Sequence, residues 1–323
     1  MRIREIISVL IFVSIIVAIY AAEAHMIWGI VKNKRKGLGF PKRFWSRGAI
    51  AIHLLAITGS ICFAYGYFIE PKWIEVKTVE IPTSKLKQTG IRLVQFSDLH
   101  CTGKAANEKK LVEMINGLKP DIVVFTGDTI NTRRALPLFK ETLKSIYAPL
   151  GKFAVRGNFD VDYWPPVDFF TGTGFIELNG NSVEIGKNGE KFQITGVSCE
   201  KEDEIGPVLK NIPADRFSIF LHHFPDLIED LNGQNVDLYL AGHTHGGQIA
   251  LPFYGAIITL SQFGKKYESG EYKVGSTILY VNRGIGMDKF PAPRVRFFAR
   301  PEITVFEIHP PGWIKPVNQN GKK

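Results

Sequence analysis

The stretch Ile91-Arg92-Leu93-Val94-Gln95-Phe96-Ser97-Asp98-Leu99-His100 begins mostly apolar and ends in an Asp-x-His pair. Its first six residues are too few for a stable helix and suit a buried strand. The same phrase recurs down the chain. Asp121–Phe125 runs into Thr126-Gly127-Asp128, and Lys152–Val155 into Arg156-Gly157-Asn158-Phe159-Asp160. Phe217–Leu221 runs into His222-His223-Phe224-Pro225-Asp226, and Val236–Leu240 into Gly242-His243-Thr244-His245-Gly246-Gly247. Helical spacing separates the first three strands. Glu108–Leu118 places Leu111, Val112, Ile115 and Leu118 on one face and stops at Lys119-Pro120; Ala135–Ile146 groups Leu138, Phe139, Leu143 and Ile146. Further strand-like runs follow at Ser182–Ile185, Lys191–Thr195, Ser276–Val281 and Glu302–Ile308. Alternation followed by a strand-rich half predicts a layered α/β sandwich with mixed sheets and one core over residues 73–310, with a tail at 311–323.

Taken singly, each polar patch is ordinary: an Asp-x-His is usually a turn, and one buried His is usually packing. Together they are not. Five of the eight histidines fall in these patches, and every patch follows an apolar strand. The carboxyl ends of strands in α/β sheets are where ligand-binding groups gather. Asp, Asn and His side chains offer hard oxygen and borderline imidazole donors, a mixture suited to a close pair of Mn²⁺, Fe²⁺ or Zn²⁺ ions.

The 323 residues carry a net charge of +9, which by itself suggests a nucleic-acid or anionic-surface binder. The distribution says otherwise. Residues 1–72 hold ten basic residues against three acids, a local +7, so the remaining body is +2. That body offers little charge for tracking a phosphate backbone, and no nucleic-acid partner is expected. With 45% apolar and 22% charged residues, disorder is excluded. The three cysteines, Cys62, Cys101 and Cys199, form no C-x-x-C pair, which argues against a thiolate zinc site.

The +7 segment contains two long apolar runs. They predict transmembrane helices at about 6–30 and 48–69, joined by a basic loop at 32–47 with seven Lys or Arg and no acid. The whole of 1–72 then reads as a membrane anchor, and the protein as a multi-pass membrane protein. A basic loop favours the cytoplasm, which would put the catalytic domain outside the cell. A competing reading takes Ala22-Glu23-Ala24 as the cleavage site of a signal peptide.

The order Asp-x-His, Gly-Asp, Gly-Asn-x-Asp, His, Gly-His-x-His resembles the calcineurin-like metallophosphoesterases over roughly Glu75–His309. Gly242–Gln248, Leu251-Pro252, Gly284-Ile285-Gly286 and Arg300–Ile303 are similar to its bacterial, membrane-anchored branch of YkuE- and YaeI-type phosphoesterases. The resemblance implies a four-layer α/β/β/α sandwich with two divalent ions, manganese foremost, iron or zinc otherwise. It implies one ion on Asp98, His100 and His245, a second on Asn158, His223 and His243, and Asp128 between them. His223 is preferred to His222 because the family ligand stands one residue before Pro-Asp, and adjacent strand side chains point apart. Asp128, Asn158 and His245 become the catalytic candidates. The implied reaction is attack of a metal-bridging hydroxide on a phosphate ester or pyrophosphate.

One position departs from the family. Phe159 stands where the motif usually has His, a residue that meets phosphate or protonates the leaving group. General acid catalysis contributes roughly 10²–10⁴-fold. Alkyl phosphate esters should therefore react slowly, and leaving groups stable as anions should suffer less; His222, Asp162 or Tyr163 are the other possible donors. The UDP-diacylglucosamine hydrolases of lipid A synthesis, which split a pyrophosphate, also lack that His. With the hairpin, this points to a lipid-linked substrate, although that pathway is cytoplasmic. The alternatives are a general phosphodiesterase on soluble or envelope phosphates and a non-catalytic, metal-stabilised membrane scaffold. Arg156 could meet phosphate, Arg294, Arg296 and Arg300 could form a basic rim or an edge strand, and Cys101 reads as packing.

Overall fold

The computed structural model describes residues 3–105, 107–231, 233–288 and 293–313. Most of the predicted tail, from residue 314 on, lies outside them.

Two long helices come first. α1 spans Ile3–Arg35, and α2 spans Arg47–Ala64 and continues through a π turn at Tyr65–Ile69 and a 3-10 turn at Glu70–Lys72. Both are long and apolar enough to cross a bilayer. Only 6% and 11% of their most apolar windows are buried, so neither is the core helix of a soluble domain. They pair through Tyr20, whose hydroxyl donates to the Ala56 carbonyl at 3.1 Å, and through Glu23 and His53, 2.6 Å apart. The acid that interrupts the first apolar run thus has its partner in the second.

The body then alternates strands and helices: β1 (Glu75–Pro82), β2 (Ile91–Phe96), α3 (Glu108–Gly117), β3 (Ile122–Phe125), α4 (Leu136–Lys144), β4 (Gly151–Ala154), α5 (Asn158–Tyr163) and β5 (Phe175–Glu177). Next come β6 (Asn181–Lys187), β7 (Glu190–Gly196), α6 (Ile205–Lys210), β8 (Phe217–Leu221), β9 (Leu238–Ala241), β10 (Ala250–Leu251) and β11 (Gly255–Ala256). β12 (Gly270–Val274), β13 (Thr277–Val281) and β14 (Glu302–His309) complete it. One six-stranded sheet has the order β1-β14-β2-β3-β4-β5, the other β12-β13-β9-β8-β7-β6. Both are mixed. β2, β3, β4 and β5 run parallel, as do β7, β8 and β9, while β14 is antiparallel to β2 and β6 to β7.

Side chains alternate across each strand, and this sorts them into layers. Leu93, Val124, Ile194, Ile219, Leu240 and Phe306 meet between the sheets. Val94, Phe96, Val123 and Phe125 point the other way, onto Leu111 and Ile115 of α3 and Phe139 and Leu143 of α4. Phe220, Tyr239, Leu279 and Val281 pack on Ile205 and Leu209 of α6. The result is helix, sheet, sheet, helix, the arrangement that the family resemblance implied. Each large apolar side chain so buried stabilises the fold by about 1.5–3 kcal/mol.

The segment around Arg296 is neither a basic rim nor an edge strand. Arg296 is fully buried and donates to the carbonyls of Ala299 at 2.8 Å and Arg283 at 2.9 Å. Arg300 lies over the Trp73 ring, 3.7 Å from its centre. Arg156 is bound to Glu177 at 2.6 Å, and the buried Cys101 thiol donates to Glu108.

Candidate metal centre

The five polar patches leave the carboxyl ends of β2, β3, β4, β8 and β9, which the two facing sheets bring together. Asp98, His100 and His245 present ligand atoms within 4.8 Å of one another, and so do Asp98, Asp128 and His223. Asp128 Oδ2 stands 3.5 Å from His100 Nε2 and 3.3 Å from His223 Nε2, between the two sets. Asn158 and His243 border the same cavity as Asp128 and His245. All seven sequence-derived candidates therefore meet in one place. One difference is that Asp98 belongs to both triads, with His223 Nε2 3.9 Å and His245 Nε2 3.4 Å from its Oδ1.

The backbone is strained to achieve this. Asp98, His100, Asp128, His243 and His245 all take left-handed conformations, with φ of 49°, 43°, 61°, 73° and 53°. Such conformations cost non-glycine residues of order 1–3 kcal/mol each and persist only where the surroundings hold them. Glycine makes the close approach possible. A Cβ on Gly157 would stand 2.1 Å from Asp128 Oδ1, and one on Gly242 2.3 Å from Asp98 Oδ2.

Neighbouring groups aim the donors. His223 Nδ1 donates to the Thr126 carbonyl at 2.7 Å, leaving Nε2 buried without a well-formed hydrogen bond. Asn158 Oδ1 is also buried and unpaired. His100 Nδ1 donates to Asn131 Oδ1 at 3.0 Å. Imidazoles held this way by their second nitrogen are typical metal ligands. Two orphaned donors beside two carboxylates fit divalent cations, which would supply the missing partners.

Electrostatics point the same way. Burial raises the Asp98 carboxyl to about 6, against the pull of His223. Burial also opposes ionisation of Asp128, but His223, His100 and His243 outweigh it and hold the group down at about 2. Burial disfavours charge on His223, yet Asp128 and Asp98 lift it to about 10. Burial lowers His243 to about 3, helped by His223, and takes His245 well below its usual value. These directions favour an ion pair of Asp128 and His223 beside uncharged His243 and His245.

Two contributors escaped the sequence reading. Asp160 accepts from the N–H of Asp128 at 2.9 Å, of Gly157 at 2.9 Å and of Thr129 at 2.8 Å, and so ties the Asp128 loop to the Asn158 loop. Its signal was the last residue of Gly-Asn-x-Asp. Asp288 brings a carboxylate 3.3 Å from His100 Nε2 and 3.7 Å from His245 Nε2. It belongs to none of the strand-end patches, so only the fold reveals it. Phe159 sits edge-on to His100, ring centres 4.9 Å apart, and 4.7 Å from Tyr163. Tyr163 borders the cavity, whereas His222 turns to the far side of β8 and donates to Val197.

Residues 91–247, which hold the patches from Asp98 to His245, match the calcineurin-like phosphoesterase family. The metallophosphoesterase YkuE of Bacillus subtilis is 37% identical over 279 residues, a match covering 81% of this chain and 94% of that protein. The chain belongs to the calcineurin-like phosphoesterases. This phosphoesterase is also 33% identical to a metallophosphoesterase of Aquifex aeolicus, over 76% of this chain and 95% of that protein. It is 28% identical to LpxG of Chlamydia trachomatis, a UDP-2,3-diacylglucosamine pyrophosphatase, over 75% of this chain and 92% of that one. The family works with divalent metals, and the phosphoesterase has the donor groups for them.

Proposed function

We propose that this phosphoesterase is anchored in a membrane by α1 and α2 and hydrolyses a phosphate ester or pyrophosphate carried on a lipid. One observation carries the reading. The cavity of about 530 Å³ over the metal centre has Asp128, Asn158, His243 and His245 on one wall and Val9, Phe12 and Val13 of α1 on another. Ile249, Ile257 and Leu260 extend the apolar lining. The anchor is thus part of the substrate site, and the site opens along a surface suited to acyl chains. Burying four methylenes there, at roughly 0.8 kcal/mol each, is worth on the order of 10²-fold in binding.

Asp98, His100 and His245 would hold one cation, Asn158, His223 and His243 the other, and Asp128 would stand between them. Bound divalent ions, manganese foremost with iron or zinc suited to the same donors, supply Lewis-acid charge toward water and the phosphoryl oxygens. The chain itself orients the donors through Thr126, Asn131 and Asp160. Phe159 has no proton to give a leaving group, which favours pyrophosphates and other leaving groups stable as anions. The activity named for LpxG supports that preference.

Both ends of the hairpin lie against the catalytic body. Glu5 accepts from the N–H and hydroxyl of Thr259, each at 3.0 Å, and Glu70 accepts from the N–H of Phe298 at 3.0 Å and of Ala299 at 2.6 Å. The basic 32–47 segment is at the opposite end, so a cytoplasmic loop means an extracytoplasmic catalytic domain. A cytoplasm-active reporter that works when fused after Lys72 would reverse that orientation.

The decisive experiment uses full-length Mn²⁺-loaded protein in nanodiscs, with UDP-2,3-diacylglucosamine and soluble UDP-glucose as substrates. The lipid should be preferred by at least about tenfold in kcat/KM, and the double change Phe12→Ser, Val13→Ser should collapse the ratio. Equal values for both substrates would refute the lipid reading. Absence of any hydrolysis that depends on Asp128 would leave only a scaffold.

A further inference from the structure

His222 directly follows β8, one residue before His223, and points to the other side. Its Nδ1 donates to the Val197 carbonyl at 2.7 Å, so Nε2 keeps its lone pair. That nitrogen is fully buried and has no hydrogen-bond partner. A buried acceptor left unsatisfied is costly, and a ligand would recover that cost. The groups it faces are Cys199 and Glu202, which flank a kink at Lys201 in the segment Cys199–Glu204. Glu202 Oε1 lies 3.9 Å from Nε2, and the thiol, the carboxylate and the imidazole all present ligand atoms within 4.8 Å of one another. Around a tetrahedral ion with bonds of ~2.0–2.3 Å, ligand atoms stand roughly 3.3–3.8 Å apart. The 3.9 Å between Glu202 Oε1 and His222 Nε2 nearly matches that spacing, and Glu202 is exposed.

We propose that Cys199, Glu202 and His222 form a third metal site, of the zinc class, separate from the phosphoesterase pair. Thiolate, imidazole and carboxylate together select zinc over the harder ions, and three protein ligands leave a fourth position for water. The hydrogen bond from Nδ1 to a backbone carbonyl is the support a ligating histidine ordinarily has. Binding releases the thiol proton to solvent. No C-x-x-C pair is required, because the site uses one thiolate. The ion ties the turn after β7 to the strand that delivers His223, and so braces one wall of the metal centre.

Cobalt distinguishes the two kinds of site. The phosphoesterase cluster offers only nitrogen and oxygen donors, so a thiolate-to-Co²⁺ charge-transfer band in the near ultraviolet reports the new site alone. Full-length protein titrated with Co²⁺ should show the band and bind about three ions per chain. Cys199→Ser should abolish the band and reduce the count to about two, while Cys62→Ser should keep both. Glu202→Gln, at an exposed position that leaves the fold alone, should retain the band with Co²⁺ affinity at this site weakened about tenfold. Absence of the band at saturating Co²⁺, its survival in Cys199→Ser, or unchanged affinity in Glu202→Gln would each overturn the assignment.

Discussion

Replacing Gly157 by Ala tests whether the position of Asp128 sets the activity. The backbone there is no obstacle: φ is −89° and ψ 179°, open to any residue. The obstacle is contact. The new Cβ would lie 2.1 Å from Asp128 Oδ1, 2.7 Å from its backbone nitrogen and 2.8 Å from Cγ. An ordinary carbon–oxygen contact is roughly 3.3–3.5 Å, so the carboxylate would have to retreat by about 1 Å. It has nowhere simple to go. The N–H of Phe159 donates to Oδ1 at 2.9 Å, and Asp160 holds the Asp128 backbone at 2.9 Å. Metal-ligand distances tolerate only about 0.2 Å, and misplacing a reacting group by about 1 Å costs on the order of 10²-fold. Gly157→Ala should therefore lower kcat by about 10²-fold or more and weaken Mn²⁺ binding. Overpacking should cost about 1–3 kcal/mol of stability, which leaves the protein folded. Initial rates at saturating Mn²⁺, calorimetric Mn²⁺ titration and a thermal melt measure the three effects. Gly206→Ala in α6, where a Cβ meets nothing within 4 Å, is the matched control. A Gly157→Ala protein with unaltered Mn²⁺ affinity and kcat within about threefold of the parent would refute the idea that Asp128 must sit where it does.

Two other outcomes are expected. Phe159→His places an imidazole at the cavity edge beside His100 and should speed alkyl phosphate hydrolysis by about 10²-fold while changing pyrophosphate or aryl ester rates little; equal gains on both classes would remove the leaving-group argument. Mn²⁺ binding should weaken as pH falls. Asp128 and Asp98 raise His223 to about 10 against the effect of burial, so a cation must displace its proton throughout the neutral range, and affinity should drop about tenfold per pH unit from this group alone. Calorimetry in buffers of different ionisation enthalpy should detect about one released proton per chain from this step, and pH-independent binding would contradict the Asp128–His223 pair.

Local pattern carried far in this protein. The runs at Ile91–Phe96 and Phe217–Leu221 are strands with those same bounds, and Glu108–Leu118 differs from α3 by one residue. A buried strand must be apolar throughout, and a chemical group at its end must be polar, so both can be read from one line of residues. The ligand candidates were legible for the same reason. β1 was less so: its even alternation of half-buried and exposed side chains at Glu75–Glu80 belongs to a sheet edge, and it pairs with β14, more than two hundred residues away. The aim of Arg296 likewise depends on carbonyls from several loops.

By itself the sequence determined the alternation of strands and helices, the donor types at their ends and the two apolar runs ahead of them. These follow from side-chain polarity and period, which are local. The tertiary structure alone decided which donors meet, that Asp160 and Asp288 join them, and that α1 closes over the cavity. Those facts depend on contacts between residues distant along the chain, such as Glu5 with Thr259, and no local period encodes them.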